Sequence, residues 1–166
     1  NDSVFDDLQR KITNATLIPF GKTNQPIGTI INCDPLLEFT WNKKEIKSNL
    51  VGKYNLFNFL TAICFGKLFQ IKDDNVITSL NNYIPSNNRS QFSKTDYNKL
   101  IIDCYNANPS SVSAAIQSMD SSNEKNKVLI LGDMLELGKQ EKLEHEKIIN
   151  LAKKYNLKTY TVGQAF

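Results

Sequence analysis

The sequence predicts an α/β fold in which a strand-rich first part is followed by an incomplete, parallel, doubly wound unit. From about residue 99 onward, short apolar runs alternate with segments of helical periodicity, which is typical of βαβ units. The polar run of residues 86–91 precedes this alternation. We therefore predict a domain boundary there, with residues 1–87 and 88–166 as the two parts.

The first part begins with short apolar runs that are separated by Gly, Pro and Asn turns. A short helix is expected around residues 4–12. A chain that starts in this way is expected to be the later part of a longer protein. The apolar runs predict strands at residues 15–20, 29–33 and 36–41.

Residues 21–23 (GKT) resemble the end of a phosphate-binding loop. That loop needs Gly at position 16, where this chain has Thr16, and a helix after it, where Pro26 stands. We predict a polar turn instead.

Residues 54–69 are apolar on nearly every face, which predicts a helix buried among other elements. Its first turn carries Asn55 and Asn58, spaced so that both amides lie on one side. An amide that donates and accepts at once suits the edge of adenine. The residues alone favour the alternative that both side chains only satisfy the helix terminus. A second helix is predicted at residues 73–83, with two acidic residues at its start.

The second part reads as a regular alternation of strands and helices. A complete domain of this type has more strands, so we expect this one to be truncated. The predicted elements are a strand at residues 99–103, a helix from 109 to about 120, a strand at 127–132, a helix from about 140 to 155, and a strand at 158–162.

The end of the first of these strands is the most informative segment of the chain. Asp103 ends an apolar run, Asn106 follows, and Asn108 and Pro109 form a suitable cap and first turn for a helix. Ligands in open α/β sheets bind at such strand ends. A ligand site and an ordinary capped turn are equally supported at this point. Asp133 follows the next strand and is expected at the same edge of the sheet.

Composition and charge point to a globular protein. The net charge is +3, yet the 20 basic residues are scattered, so we expect no binding to nucleic acid. No apolar run approaches the length of about 20 residues that a membrane span needs, and we expect a cytoplasmic monomer without membrane contact. The three cysteines lack paired spacing and are expected to be free thiols. Arg89 is one of two arginines, which marks it weakly as a bidentate donor.

A metal site at Asp133, Glu136 and His145 is conceivable but is not predicted. The three residues lack the close spacing of known sites, and His145 lies in a helix that looks exposed. We expect a structural or substrate-side role for them instead.

Four segments follow one another in a specific order. Together they resemble the Mur ligases of peptidoglycan synthesis, from about residue 50 to the end and more loosely before it. The segments are residues 52–58 (GKYNLFN), 88–91 (NRSQ), 103–109 (DCYNANP) and 131–138 (LGDMLELG), with His145 after them.

The resemblance implies a three-domain enzyme, of which this chain is the end of the central ATPase domain (residues 1–87) and most of a Rossmann-like C-terminal domain (residues 88–166). It implies an ATP- and Mg-dependent ligase that joins D-alanyl-D-alanine to UDP-N-acetylmuramoyl-tripeptide through an acyl phosphate. The implied nucleotide contacts are Asn55, Asn58, Arg89 and Asp103. The implied substrate or interdomain contacts are Tyr105, Asn106, Asn108 and Asp133.

Some features depart from the family pattern. Tyr54 stands where many members have His, and Val112 stands where Met is common. The phosphate loop and the magnesium ligands are expected upstream of residue 1, so the isolated chain is expected to be inactive. A folylpolyglutamate-synthase-like ligase and a non-catalytic nucleotide-binding or interaction module remain as alternatives.

Overall fold

The protein is described by a computed structural model that covers residues 26–166. The predicted helix at residues 4–12, the strand at 15–20 and the turn at 21–23 lie outside the described residues. The strands are β1 (Thr29–Asn32), β2 (Leu36–Trp41), β3 (Lys44–Val51), β4 (Gln91–Lys94), β5 (Lys99–Ile102), β6 (Val128–Gly132) and β7 (Lys158–Val162). The helices are α1 (Asn55–Leu68), α2 (Asp73–Asn82), α3 (Pro109–Ser121) and α4 (Glu141–Lys154), with a short 3₁₀ turn at Gly138–Gln140.

The first five strands form one antiparallel sheet in chain order. In β2, Leu37, Phe39 and Trp41 point inward, as the alternation of the sequence requires. A two-residue turn joins β2 to β3, and both of its residues, Asn42 and Lys43, have positive φ (49° and 61°). Such turns match the twist of a hairpin.

Strand β3 was not predicted, because its inward face contains Ser48 and its outward face is charged and polar. Residues of β2 and α2 satisfy polar groups of this strand. The Ser48 hydroxyl donates to the Leu37 carbonyl (2.7 Å), and the backbone N–H of Lys47 donates to the Asn81 side chain at the end of α2 (2.9 Å). A buried polar group with a partner is tolerated within a core strand.

Helices α1 and α2 pack on this sheet and close the first core. α1 contributes Phe59, Leu60 and Ile63 to it. The prediction that α1 is buried on nearly every face is wrong for the described residues, since Phe57 and Phe65 are about half exposed (50% and 57%). The described elements that pack on α1 cover one side of it only.

Strands β4 and β5 follow as a hairpin. Leu50 of β3 pairs with Gln91 of β4, so one sheet runs across the predicted domain boundary. We expected β5 to begin a parallel sheet, but it pairs antiparallel with β4, because the tight turn at residues 95–98 folds the chain directly back.

Strands β6 and β7 form a parallel pair, as predicted for a βαβ unit. Helices α3 and α4 pack with them around a second core that contains Ile116, Leu129, Met134 and Ile148. The α/β fold class is therefore confirmed. No helix within residues 26–166 is long and apolar enough to cross a membrane.

Candidate functional site

The first turn of α1 holds the two predicted asparagines in different environments. Asn55 is buried (4% exposed); its amide nitrogen donates to the Val51 carbonyl (2.8 Å), and its oxygen accepts from the Asn58 amide (2.7 Å). Neither side chain bonds to a free backbone N–H of the helix terminus, and Tyr54 at the cap position makes no side-chain cap bond. Asn55 therefore holds Asn58 in place, and no residue within 26–166 donates to the oxygen of Asn58, which can accept from another partner.

A cavity of about 410 Å³ opens beside this turn. Its polar lining includes Asn55, Asn58, Arg89 and Ser90, and its apolar lining includes Leu50, Phe59 and Leu80. Small-ligand pockets have volumes of about 300 to 1,000 Å³ and combine apolar walls with a few polar groups. The cavity has the size and the lining of such a pocket.

Arg89 lies in the segment that connects α2 to β4. Its guanidinium carbon is 3.9 Å from the centroid of the Tyr105 ring, which is a cation–π contact. A backbone bond from Cys104 N–H to the Asn88 carbonyl (2.9 Å) ties the same two segments together. The structure thus brings Arg89 and Tyr105 together across 16 residues of sequence.

The end of β5 meets the start of α1 through three oxygen atoms. The Tyr54 hydroxyl is 3.1 Å from the Ser90 hydroxyl and 3.3 Å from Asp103 Oδ2, and the Ser90 hydroxyl is also 3.3 Å from Oδ2. Burial raises the pKa of Tyr54 to about 12, and the nearby Asp103 carboxylate acts in the same direction against the opposing Ser90 hydrogen bond. The phenol is therefore neutral, and it is a donor, at physiological pH.

A second cavity, also of about 410 Å³, lies between β5, α3 and β6. Tyr54, Asp103 and Asn106 are in its lining, whereas Ser90 lines the first cavity. The three-oxygen cluster thus stands between the two cavities.

Asn108 is the N-cap of α3, as its sequence position predicts. Its side chain accepts from Ser111 N–H (3.0 Å), and its own N–H donates to the Ser111 hydroxyl (3.2 Å). Pro109 occupies the first helical position. The capped turn and the candidate ligand site therefore occur in the same segment.

Asp133 lies apart from both cavity linings. Its carboxylate accepts from the backbone N–H groups of Gln164 (2.8 Å) and Ala165 (3.2 Å), which anchors the segment after β7.

His145 is not exposed, contrary to the appearance of its helix. It is 2% exposed, its Nε2 accepts from Met134 N–H (3.0 Å), and its Nδ1 lies 2.7 Å from the Glu141 carbonyl. This geometry requires the proton on Nδ1. Across residues 26–166, no three His, Cys, Asp or Glu side chains form a group that could hold a metal ion. The cysteines of this region, Cys33, Cys64 and Cys104, are free thiols as predicted.

Residues 88–165 match the family model described as Mur ligase, glutamate ligase domain. Over these residues the chain is similar to the C-terminal domain of the Mur ligase family.

Three known proteins are similar to this chain. The UDP-N-acetylmuramoyl-tripeptide--D-alanyl-D-alanine ligase of Bacillus subtilis (strain 168) is 39% identical over 99 residues, which are 58% of this chain and 22% of that protein. A crystal structure of MurF from Acinetobacter baumannii matches with a TM-score of 0.77 and 26% identity, over 88% of this chain and 33% of that chain. MurF ligase from Thermotoga maritima, solved in complex with ADP, matches in fold with a TM-score of 0.63 and 21% identity, over 76% of this chain and 29% of that chain. The chain thus spans between about a fifth and a third of these relatives.

Two residues of the site, Tyr54 and Ser90, were not predicted as site residues. Tyr54 stood out only as a departure from the family pattern, and Ser90 only as a neighbour of Arg89. They lie 36 positions apart in the sequence, and folding alone brings them together.

Proposed function

We propose that this chain forms the nucleotide-facing junction of an ATP-dependent ligase that adds D-alanyl-D-alanine to UDP-N-acetylmuramoyl-tripeptide in the cytoplasm. One observation carries the proposal. The cavity beside α1 gathers Asn58 and Arg89, and Ser90 in its lining lies 3.3 Å from Oδ2 of Asp103, which lines the second cavity where the two parts of the chain meet.

The side chains around this cavity suit a nucleotide. The amide of Asn58 suits the polar edge of adenine, while Leu50 and Phe59 offer apolar surface to its ring faces. The fork of Arg89 suits phosphate or ribose oxygens, and the carboxylate of Asp103 suits ribose hydroxyls. The side-chain oxygen of Asn55 accepts a hydrogen bond from the Asn58 amide and so fixes the orientation of that amide.

The residues of this chain would act by binding and orientation. ATP supplies the phosphoryl group that activates the terminal carboxylate of the tripeptide, and such chemistry depends mainly on positioning. Tyr105 would support Arg89, and Asn106 would face the second cavity, where the dipeptide or the closing domain contact lies in this proposal. Asn108 and Asp133 would support this surface by holding the α3 turn and the segment after β7.

Magnesium is part of the proposed reaction, but the described residues are not assigned as its ligands. The proposal places the phosphate loop and the magnesium ligands in other parts of the full-length protein. The isolated chain, supplied with ATP and magnesium, is therefore expected to release no phosphate above a protein-free control. Steady phosphate release from the pure chain would contradict the assignment of the phosphate loop and the magnesium ligands to other parts of the full-length protein.

The test uses the full-length protein that contains this chain, with ATP, magnesium, UDP-N-acetylmuramoyl-tripeptide and D-alanyl-D-alanine. We expect ADP formation that depends on both the tripeptide and the dipeptide, with the amide product identified by mass spectrometry. In parallel reactions, L-alanine or glutamate replaces the dipeptide. Activity with one of these alone would indicate another amide ligase of the superfamily. Nucleotide binding without turnover of any substrate would indicate a non-catalytic module.

A further inference from the structure

We infer that Tyr54 and Ser90 are positioning residues that hold the Asp103 carboxylate toward the ribose of a bound nucleotide. The inference rests on the proposed nucleotide site and adds two residues to it.

The hydrogen-bond chemistry of the three side chains limits how their hydrogens can be arranged. A carboxylate only accepts, and each hydroxyl has one hydrogen to donate. Tyr54 and Ser90 each lie 3.3 Å from the same atom, Asp103 Oδ2, and 3.1 Å from each other, so either both hydroxyls donate to Oδ2 or one of them donates to Oδ2 and accepts from the other. Within residues 26–166, the bonds of Asp103 all involve Oδ2, which leaves Oδ1 to accept from a ligand.

The backbone around both hydroxyl residues is shaped for this contact. Ser90 has a φ of 47°, which is uncommon for a residue with a side chain, and it is 6% exposed. Gly52, with a φ of 88°, lies under the Tyr54 ring, and a Cβ at Gly52 would overlap that ring. Unusual backbone conformations persist where the surrounding structure enforces them, and they cluster at functional sites.

Positioning matters here because Asp103 is exposed at the end of a strand. An exposed carboxylate samples several rotamers. A ligand that needs one of them binds more weakly, because the side chain loses rotamer entropy on binding. Two fixed hydroxyls remove that freedom before the ligand binds, and a support of this kind is what holds a binding group in productive geometry.

The test measures nucleotide binding to the full-length protein for two ligands, ATP and 2′,3′-dideoxy-ATP, which lacks both ribose hydroxyls. The wild-type protein should prefer ATP, and Asp103→Ala should abolish most of this preference. Tyr54→Phe and Ser90→Ala should each weaken ATP binding by about fivefold, the effect of one hydrogen bond, and leave dideoxy-ATP binding nearly unchanged. Tyr97→Phe is the matched control, because Tyr97 is 91% exposed in the β4–β5 turn.

The ratio of the two affinities separates positioning from a general structural effect. A variant that loses affinity for both nucleotides equally, or that keeps the wild-type ratio, overturns the inference. In the double variant Tyr54→Phe/Asp103→Ala, ATP binding should be no weaker than in Asp103→Ala alone; additive losses also contradict it. If the wild-type protein binds neither nucleotide, the proposed function fails. If wild type binds and discriminates while both variants keep the ratio, the inference alone fails.

Discussion

The guanidinium of Arg89 stacks on the ring of Tyr105, with its central carbon 3.9 Å from the ring centroid. Arg89 lies in the connection between the two parts of the chain, and Tyr105 follows the end of β5. The contact fixes a flexible cation at the wall of the cavity beside α1. A long side chain that is held in place loses less entropy when it binds an anion.

This stacking predicts that Tyr105 supports nucleotide binding through its ring and not through its hydroxyl. In the full-length protein, Tyr105→Leu should weaken ATP binding by about three- to tenfold, the range expected from the loss of a cation–π contact. Tyr105→Phe should bind like wild type. Equal affinities for the Leu variant and wild type would remove Tyr105 from the site.

Asn55 and Asn58 should respond differently to substitution. Asn55→Ala removes the buried donor to the Val51 carbonyl and should lower the free energy of unfolding by about 1 to 3 kcal/mol. Asn58→Ala affects an exposed amide, and should change the free energy of unfolding by less than about 1 kcal/mol while weakening ATP binding. Denaturant titration and nucleotide binding are measured on both. A reversed pattern would contradict the assigned roles.

The environment of Tyr54 predicts a specific dependence on alkaline pH. Its pKa is about 12 in the folded protein, above the ordinary value of 10.0. Below pH 10 the phenol is neutral in both the folded and unfolded states, so its stabilising contribution is fully present. As the pH rises toward 12 the unfolded state ionises first, and the folded state loses stability.

The check compares wild type with Tyr54→Phe. Ultraviolet titration should show that the variant lacks one late-titrating phenol, and its free energy of unfolding should fall less steeply above pH 10. If the phenol lost from the variant instead titrates near pH 10, the raised pKa of Tyr54 is contradicted.

His145 is predicted to be structural. His145→Leu leaves the buried Met134 N–H without an acceptor, and should lower the free energy of unfolding by about 1 to 3 kcal/mol. Glu146→Ala, on the exposed side of the same helix, is the control and should be nearly neutral. Bound zinc, measured by elemental analysis after zinc exposure, should be the same in both variants and in wild type. If His145→Leu alone bound less zinc than wild type, the result would support a metal site that includes His145.

The effects of substitutions at Gly163 and Asp133 on the melting temperature should depend on each other. Gly163 has a φ of 135°, and a Cβ there would overlap the Asp133 carboxylate. Gly163→Ala should therefore lower the melting temperature, both through backbone strain and through displacement of the bonds to Gln164 and Ala165. In an Asp133→Ala background, Gly163→Ala should lower the melting temperature by less, because the overlap with the carboxylate is absent. Additive losses would show that the two positions are independent.

Much of the fold follows from local patterns that a single sequence contains. The alternation in residues 36–41 and 158–162 predicts β2 and β7 at their observed bounds, and the periodicity of the helical segments predicts the four α-helices of residues 26–166 within two residues. Asn108 and Pro109 predict the start of α3 for the same reason, since a cap is a contact between near neighbours. Asp103, Arg89 and the Asn55–Asn58 pair could be selected as candidates because their chemistry and order in the chain are visible without coordinates.

Contacts between distant parts of the chain were decided only by the tertiary structure. Strand β3 needs Asn81 to satisfy its polar backbone, and the sheet from β1 to β5 depends on pairing that no local period encodes. The sequence could select Asp103 but not the atoms that hold it, because Tyr54 lies 49 positions away and Ser90 lies in another segment. Residue type and local spacing determine which groups are available for binding. Packing across the chain determines which of their atoms remain free, since each buried donor and acceptor must first find its partner within the protein.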